Sequence, residues 1–224
     1  MKAAFFDVDG TLTNTRVWKG LMEYFSQRKL RRATHLAFLS VHYPLYFARR
    51  LGLISEGSFR APWAAHLAWY LRGYTLEQAQ KIWEWIVSDF LVHHWHADSR
   101  ALIDEHLAAG DLVMLVSSGP LPLITRIALE LGVEHAIGTD FEIRNGRYTG
   151  RSLDPICIAE YKAILTQAYL KRKMLDVDLS RSCTYADSTA DLQLLEMVAQ
   201  PVAVHPDENL RQIALQRGWR VFPA

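Results

Sequence analysis

Three short clusters hold the residues most able to do chemistry: Asp7-Val8-Asp9-Gly10-Thr11, Ser117-Ser118-Gly119 and Asp187-Ser188-Thr189-Ala190-Asp191. Carboxylates drawn together repel one another unless a cation sits among them. Oxygen ligands without His or Cys select a hard ion, Mg2+ above all, and such a site keeps water and serves a phosphate. The phosphate needs donors of its own. The Ser117 hydroxyl can supply one, and the main-chain N–H groups of Ser118 and Gly119, leading into a helix, can supply others. Lys162, in Glu160-Tyr161-Lys162, adds a mobile cation against charge that develops during transfer. With a carboxylate beside the phosphorus, the economical route is covalent: the carboxylate attacks, an aspartyl-phosphate forms, and water hydrolyses it.

The clusters must be carried by elements that bring them together. A short apolar run, Ala3 to Phe6, leads into Asp7, and Leu112 to Ser117 and Cys183 to Asp187 end in the other two clusters. Helical stretches near 98–109, 121–131, 159–173, 189–199 and 207–217 alternate with these strands, with one near 134–138 and with Val202-Ala203-Val204. Continuous apolar strands alternating with helices predict an α/β fold, a mainly parallel sheet covered on both faces, whose ligands gather at the strands' carboxyl ends. Asn145-Gly146 between Phe141–Arg144 and Arg147–Thr149 predicts a hairpin. Between about Thr15 and His96 the pattern is helical only, near 15–30, 34–53 with Pro44 inside, 55–72 and 75–95. The expected organisation is a core of residues 1–13 and 97–224 with an all-α cap, 14–96, inserted after the first strand.

Of the 224 residues half are apolar and 22% charged, which excludes a disordered tail, a collagen-like repeat and a disulfide scaffold. Cys157 and Cys183 offer no disulfide framework and no metal-ligand spacing, and the early Asp7 gives no signal-peptide core, so a cytoplasmic location is expected. The net charge of +1 hides an asymmetry: residues 14–96 carry eleven Lys/Arg against five Asp/Glu and six of the seven tryptophans. A basic cap on an acidic core can attract anions. The run Arg28-Lys29-Leu30-Arg31-Arg32 reads as a solvated helix end rather than a nucleic-acid patch or a membrane-surface contact. No window is apolar enough for a membrane span, and Ala33 to Ile54, the most apolar, reads as the buried helix of the cap. In His93-His94-Trp95-His96, His93 and His96 could share a ligand; a polar surface where the cap returns to the core is the simpler reading.

Asp7-Val8-Asp9-Gly10-Thr11, Ser117, Lys162 and Asp187-Ser188-Thr189-Ala190-Asp191, in this order, resemble the four motifs of the haloacid dehalogenase-like (HAD) superfamily. With its helical insertion just after the first motif, the chain resembles the phosphoserine phosphatase-like branch. The resemblance implies a Rossmann-like core with a helical cap and Mg2+-dependent hydrolysis of a small phosphate monoester. It implies Asp7 as nucleophile and Asp9 as general acid and base. Asp7, the carbonyl of Asp9 and Asp187 would hold Mg2+. Ser117, or Ser118 in its place, and Lys162 would bind the phosphoryl group, with Asp191 orienting Lys162 or a metal-bound water. Haloalkanoate dehalogenases lack the second aspartate, and P-type pumps carry Lys where this chain has Val8. Ala186 departs from the usual Gly-Asp or Asp-Asp opening of the last motif and removes one carboxylate from the metal's surroundings.

Transfer of the phosphoryl group to an alcohol, and non-catalytic binding of a phosphorylated partner or anionic lipid, are the competing readings. An isolated Asp187 would be read as a helix N-cap and an isolated Lys162 as solvated; their concurrence with Asp7 and Asp9 decides for a site. The expected partner is a small phosphorylated metabolite. Glu23, Arg16 and Arg60 are candidates to grip its head group, and the aromatic cap equally permits a bulkier apolar leaving group.

Overall fold

The computed structural model describes residues 1–223, the Glu56 side chain excepted. Strand β1 (Ala3–Phe6) is wholly buried, as its unbroken apolar run requires of a strand covered on both faces. It lies at the centre of a six-stranded sheet. On one side it pairs in parallel with β2 (Leu112–Pro120), which pairs with β3 (His135–Thr139). On the other it pairs in parallel with β6 (Cys183–Ala186), followed by β7 (Gln200–Val204) and β8 (Arg220–Phe222). The hairpin of β4 (Phe141–Arg144) and β5 (Arg147–Ser152) turns at Asn145 and Gly146, both at positive φ as a tight two-residue turn demands. Helices α5 (Ala97–Ala108), α6 (Leu121–Glu130), α7 (Glu160–Arg172), α8 (Leu192–Glu196) and α9 (Glu208–Arg217) flank the sheet. The first α/β crossing point, where β1 meets β2 and β6, collects all three chemical clusters at one edge.

The helical stretch contains α1 (Val17–Gln27), α2 (Arg32–Arg50), α3 (Glu56–His66) and α4 (Leu76–Trp85). Its entry and exit run side by side: Thr13 pairs with Trp95, the Asn14 N–H donates to the His94 carbonyl, and the His96 N–H donates to the Leu12 carbonyl. Helix α4 begins with a capping box at Thr75 and Gln78, then distorts over Ile86–Phe90 and Leu91–His93 where a continuous helix to 95 is expected from the pattern. Phe25, Phe38, Tyr70, Ile82 and Ile86 are fully buried in its interior, each such side chain worth roughly 1.5–3 kcal/mol of burial.

Two expectations need correction. Residues 33–54 are not the buried helix of this body: in α2 only Phe38 and His42 are buried, and Pro44 sits inside the helix without ending it. Apolar content alone does not say how many faces of a helix are covered. The second concerns only the weaker alternative for the histidine cluster, a ligand shared by His93 and His96; His93 is exposed, in keeping with the polar surface preferred from sequence. His96 stacks on His205 at 4.0 Å beside Asp98, while His94 Nδ1 lies 2.8 Å from Asn14 Oδ1. Cys157 and Cys183 are both free and buried.

Candidate active site

Asp7 follows β1 directly, and its N–H continues the ladder by donating to the Tyr185 carbonyl. The chain then reverses tightly: Gly10 takes φ +96°, and the Leu12 and Thr13 N–H groups both return to the Val8 carbonyl. A side chain at residue 10 would meet Asp187 Oδ2 at 2.0 Å, so the loop needs glycine both for its backbone and for the carboxylate behind it. Asp187 follows β6, and Asp191 sits one short turn later.

Lys162, from the first turn of α7, reaches between them. Its Nζ lies 2.6 Å from Asp7 Oδ1 and 2.5 Å from Asp191 Oδ1, with all three residues buried. Burial alone would lower the ammonium's pKa, but Asp191 and Asp7 hold it above its ordinary value. Thr11 Oγ1 donates to the other oxygen of Asp7 at 3.4 Å. The Asp9 carboxylate accepts from the Val17 N–H at 2.7 Å, at the start of α1. Arg16 donates to the Asp9 carbonyl and, at 3.5 Å, to Asp187 Oδ2.

Four carboxylates thus face two cations. Burial, then Asp7, push Asp9 up to about 6 and Asp187 up to about 8; burial likewise raises Asp191 to about 6 against the pull of Lys162. Asp187 Oδ1 is buried without a hydrogen-bond partner, and oxygens of Asp7, Asp187 and Asp191 lie within 4.8 Å of one another. An all-oxygen donor set, an orphaned carboxylate oxygen and an arginine lying on two of the donors fit a divalent hard cation.

Asp7, Asp9, Lys162 and Asp191 open onto a cavity of about 760 Å³ between the sheet's carboxyl edge and the helical stretch of α1 to α3. Ser118 and Gly119 line it, whereas Ser117 is fully buried with its Oγ accepting from the Gly119 N–H at 3.1 Å. As the chain stands, Ser118 has the access and Ser117 shapes the turn. The wall supplied by the helical stretch is apolar and aromatic, from Trp18, Leu39, Tyr43, Tyr46, Phe59 and Trp63, with Arg16, Arg49 and Arg60 beside them. Glu23 does not line the cavity. The structural role of Gly10 and the contact of Arg16 with two candidate metal donors are not in the sequence reading; a glycine directly after Asp-x-Asp at a strand end is the available signal for the first, and nothing local signals the second.

The chain is similar to several known proteins. The sequence profile of the haloacid dehalogenase-like hydrolases matches residues 4–196. Phosphoserine phosphatase SerB1 of Mycobacterium tuberculosis is 32% identical over 98% of this chain and 70% of its own length. A histidinol-phosphatase of Neisseria meningitidis is 30% identical over 98% of this chain and 97% of its own. A Bordetella pertussis protein of unknown function superposes with a TM-score of 0.83 at 28% identity, covering 99% and 98% of the two chains. Substrate-bound phosphoserine phosphatase shares the fold, with a TM-score of 0.61 at 15% identity over 94% and 89%. Among the described residues no helix is long and apolar enough to cross a membrane. By its match to the family's sequence profile and its likeness to these relatives, the chain belongs to the haloacid dehalogenase-like hydrolases.

Proposed function

We propose that the protein is a Mg2+-dependent hydrolase of phosphate monoesters that works through an aspartyl-phosphate on Asp7. The observation that carries this reading is Lys162 bridging Asp7 and Asp191 at the floor of the cavity, with Asp9 and Asp187 beside them. Asp7, the Asp9 carbonyl and Asp187 would hold the ion, which when bound neutralises phosphoryl and carboxylate charge. Asp7 attacks phosphorus and the bond to the leaving-group oxygen breaks as Asp9 gives that oxygen its proton. Asp9, held near neutrality by burial, then takes a proton from water, whose oxygen attacks phosphorus and frees Asp7 and inorganic phosphate. Lys162 fixes Asp7 in place and offers positive charge to the transferring group, with Asp191 holding the lysine. The Ser118 hydroxyl and nearby main-chain N–H groups supply further phosphoryl donors, with Ser117 reaching the phosphate once its hydroxyl turns from Gly119.

The leaving group is bulky and largely apolar. Among the described residues lining the cavity the carboxylates are Asp7, Asp9 and Asp191, so the cap wall offers an ammonium group aromatic faces but no acid. Phosphoserine, a compact zwitterion, matches that wall less well than an ester of a larger alcohol that is alkyl or carries an uncharged ring. The test is turnover of p-nitrophenyl phosphate with Mg2+ and with EDTA, in the native protein and in Asp7→Asn, followed by a panel containing phosphoserine, histidinol phosphate and alkyl phosphates. Turnover without metal, or full turnover in Asp7→Asn, refutes the mechanism; a preference for phosphoserine refutes the leaving-group assignment.

A further inference from the structure

Helix α2 presents an apolar stripe that no other described residue covers. Leu36, Tyr43, Phe47 and Leu51 recur at the spacing of one helical face and are 67%, 56%, 54% and 74% exposed, and Leu53 beyond the helix end is 73% exposed. Single exposed apolar residues are ordinary; a contiguous stripe on one element marks a contact surface. The same segment is strongly basic. From Arg28 to Arg60 it holds seven Lys/Arg and one acidic residue, and Arg28, Lys29, Arg32 and Arg50 are exposed. The stripe is also continuous with the active site, because Tyr43 and Tyr46 stand on the surface of α2 and line the cavity whose floor is Asp7.

We propose that this face of α2 docks on an anionic phospholipid surface and that the cavity beside it takes an amphiphilic phosphate monoester from that surface; the second part rests on the phosphatase reading above. Aromatic and leucine side chains flanked by Lys and Arg are the chemistry of a helix lying in the membrane interface. Each basic residue near an anionic surface strengthens attachment about fivefold. A second copy of the chain is the poorer occupant. A two-fold contact through this stripe would set the same basic residues against one another. An amphiphile seated here would place its phosphate on Asp7 and Lys162 and lay its apolar part along Leu39, Phe59 and Trp63 toward the mouth. Of the basic run at 28–32, read from sequence as a solvated helix end, Arg32 opens α2 one helical turn before Leu36 and so adjoins the stripe.

The experiment is co-sedimentation of the full chain with vesicles of phosphatidylcholine alone and of phosphatidylcholine with phosphatidylglycerol, at low and high salt. Three variants join it: Phe47→Ser with Leu51→Ser, Arg28→Gln with Lys29→Gln and Arg32→Gln, and Asp7→Asn. The expected result is salt-sensitive binding to the anionic vesicles, lost in the serine variant, weakened at least about tenfold in the glutamine variant, and unchanged in Asp7→Asn. In vesicles carrying dodecyl phosphate the serine variant should raise KM while p-nitrophenyl phosphate turnover stays at the native level. Absence of binding to anionic vesicles, or binding that survives both surface variants, overturns the proposal. So does a dimer dispersed by the serine variant without vesicle binding, which would give the stripe to a second copy. Vesicle binding by a protein that turns over no phosphate ester would leave the docking surface standing and remove the phosphatase mechanism.

Discussion

Gly10→Ala isolates the geometry on which the site depends. At φ +96° an alanine is strained by about 1–3 kcal/mol. For a chain of this length that lowers Tm by roughly 2–12 °C. Strain is only half of the effect. The new Cβ would lie 2.0 Å from Asp187 Oδ2 and 2.5 Å from its Cγ, where real contacts begin near 3.0 Å. The Asp187 carboxylate, or the loop that carries Asp9, must therefore retreat by about 1 Å, and a misplacement of that size costs on the order of a hundredfold in turnover. The assay is p-nitrophenyl phosphate hydrolysis titrated with Mg2+, run beside thermal unfolding. Gly218→Ala provides the control, since Gly218 also has a positive φ, +67°, but nothing within 4 Å of its added Cβ. It should lower Tm by a similar amount and leave turnover intact. Native turnover and native Mg2+ dependence in folded Gly10→Ala would refute the claim that Asp187 is held where the reaction needs it by the absence of a side chain at residue 10.

Arg16→Gln removes the guanidinium that lies on the Asp9 carbonyl and Asp187. The Arg16 side chain is 39% exposed, so solvent limits the pair's worth to about 1 kcal/mol, and Tm in EDTA should fall by about 2–4 °C. Saturating Mg2+ should restore the native Tm, and calorimetric titration should show tighter Mg2+ binding than in the native protein; an equal loss with and without metal would sink the idea that Arg16 and the ion share donors. The metal-free protein should also lose stability as pH rises. Asp9 and Asp191 near 6 and Asp187 near 8 all lie above the ordinary 3.8, so the folded state binds more protons than the unfolded one between about pH 4 and about pH 8. Tm in EDTA should therefore decline across that window, more steeply than in Mg2+, which favours the ionised carboxylates. Parallel curves would show that the cluster binds no ion.

The grouping of the candidate site was legible because its residues sit where period and topology change: apolar runs lead into Asp7, Ser117 and Asp187, and a parallel sheet brings such positions to one edge. What was not legible depends on contacts between distant stretches. The choice between Ser117 and Ser118 turns on a single hydrogen bond from the Gly119 amide, and His96 finds His205 across the fold rather than His93 beside it. The exposure of α2 depends on how many partners pack against it, which composition does not record.

The position of the insertion has a consequence for the chemistry. Because the helical stretch starts soon after Asp9, the first amide of α1, on Val17, is the one that holds the Asp9 carboxylate, and the next turns of that helix deliver Trp18 and Met22 to the cavity wall. Removing one hydrogen-bond donor from a carboxylate raises its pKa. Any displacement of α1 away from the core therefore shifts Asp9 further toward its protonated form and, in the same movement, opens the wall against which the leaving group rests. The residue proposed to carry the proton and the surface proposed to choose the substrate are tied to one helix, so a substrate that seats α1 correctly also sets the acid that must protonate it.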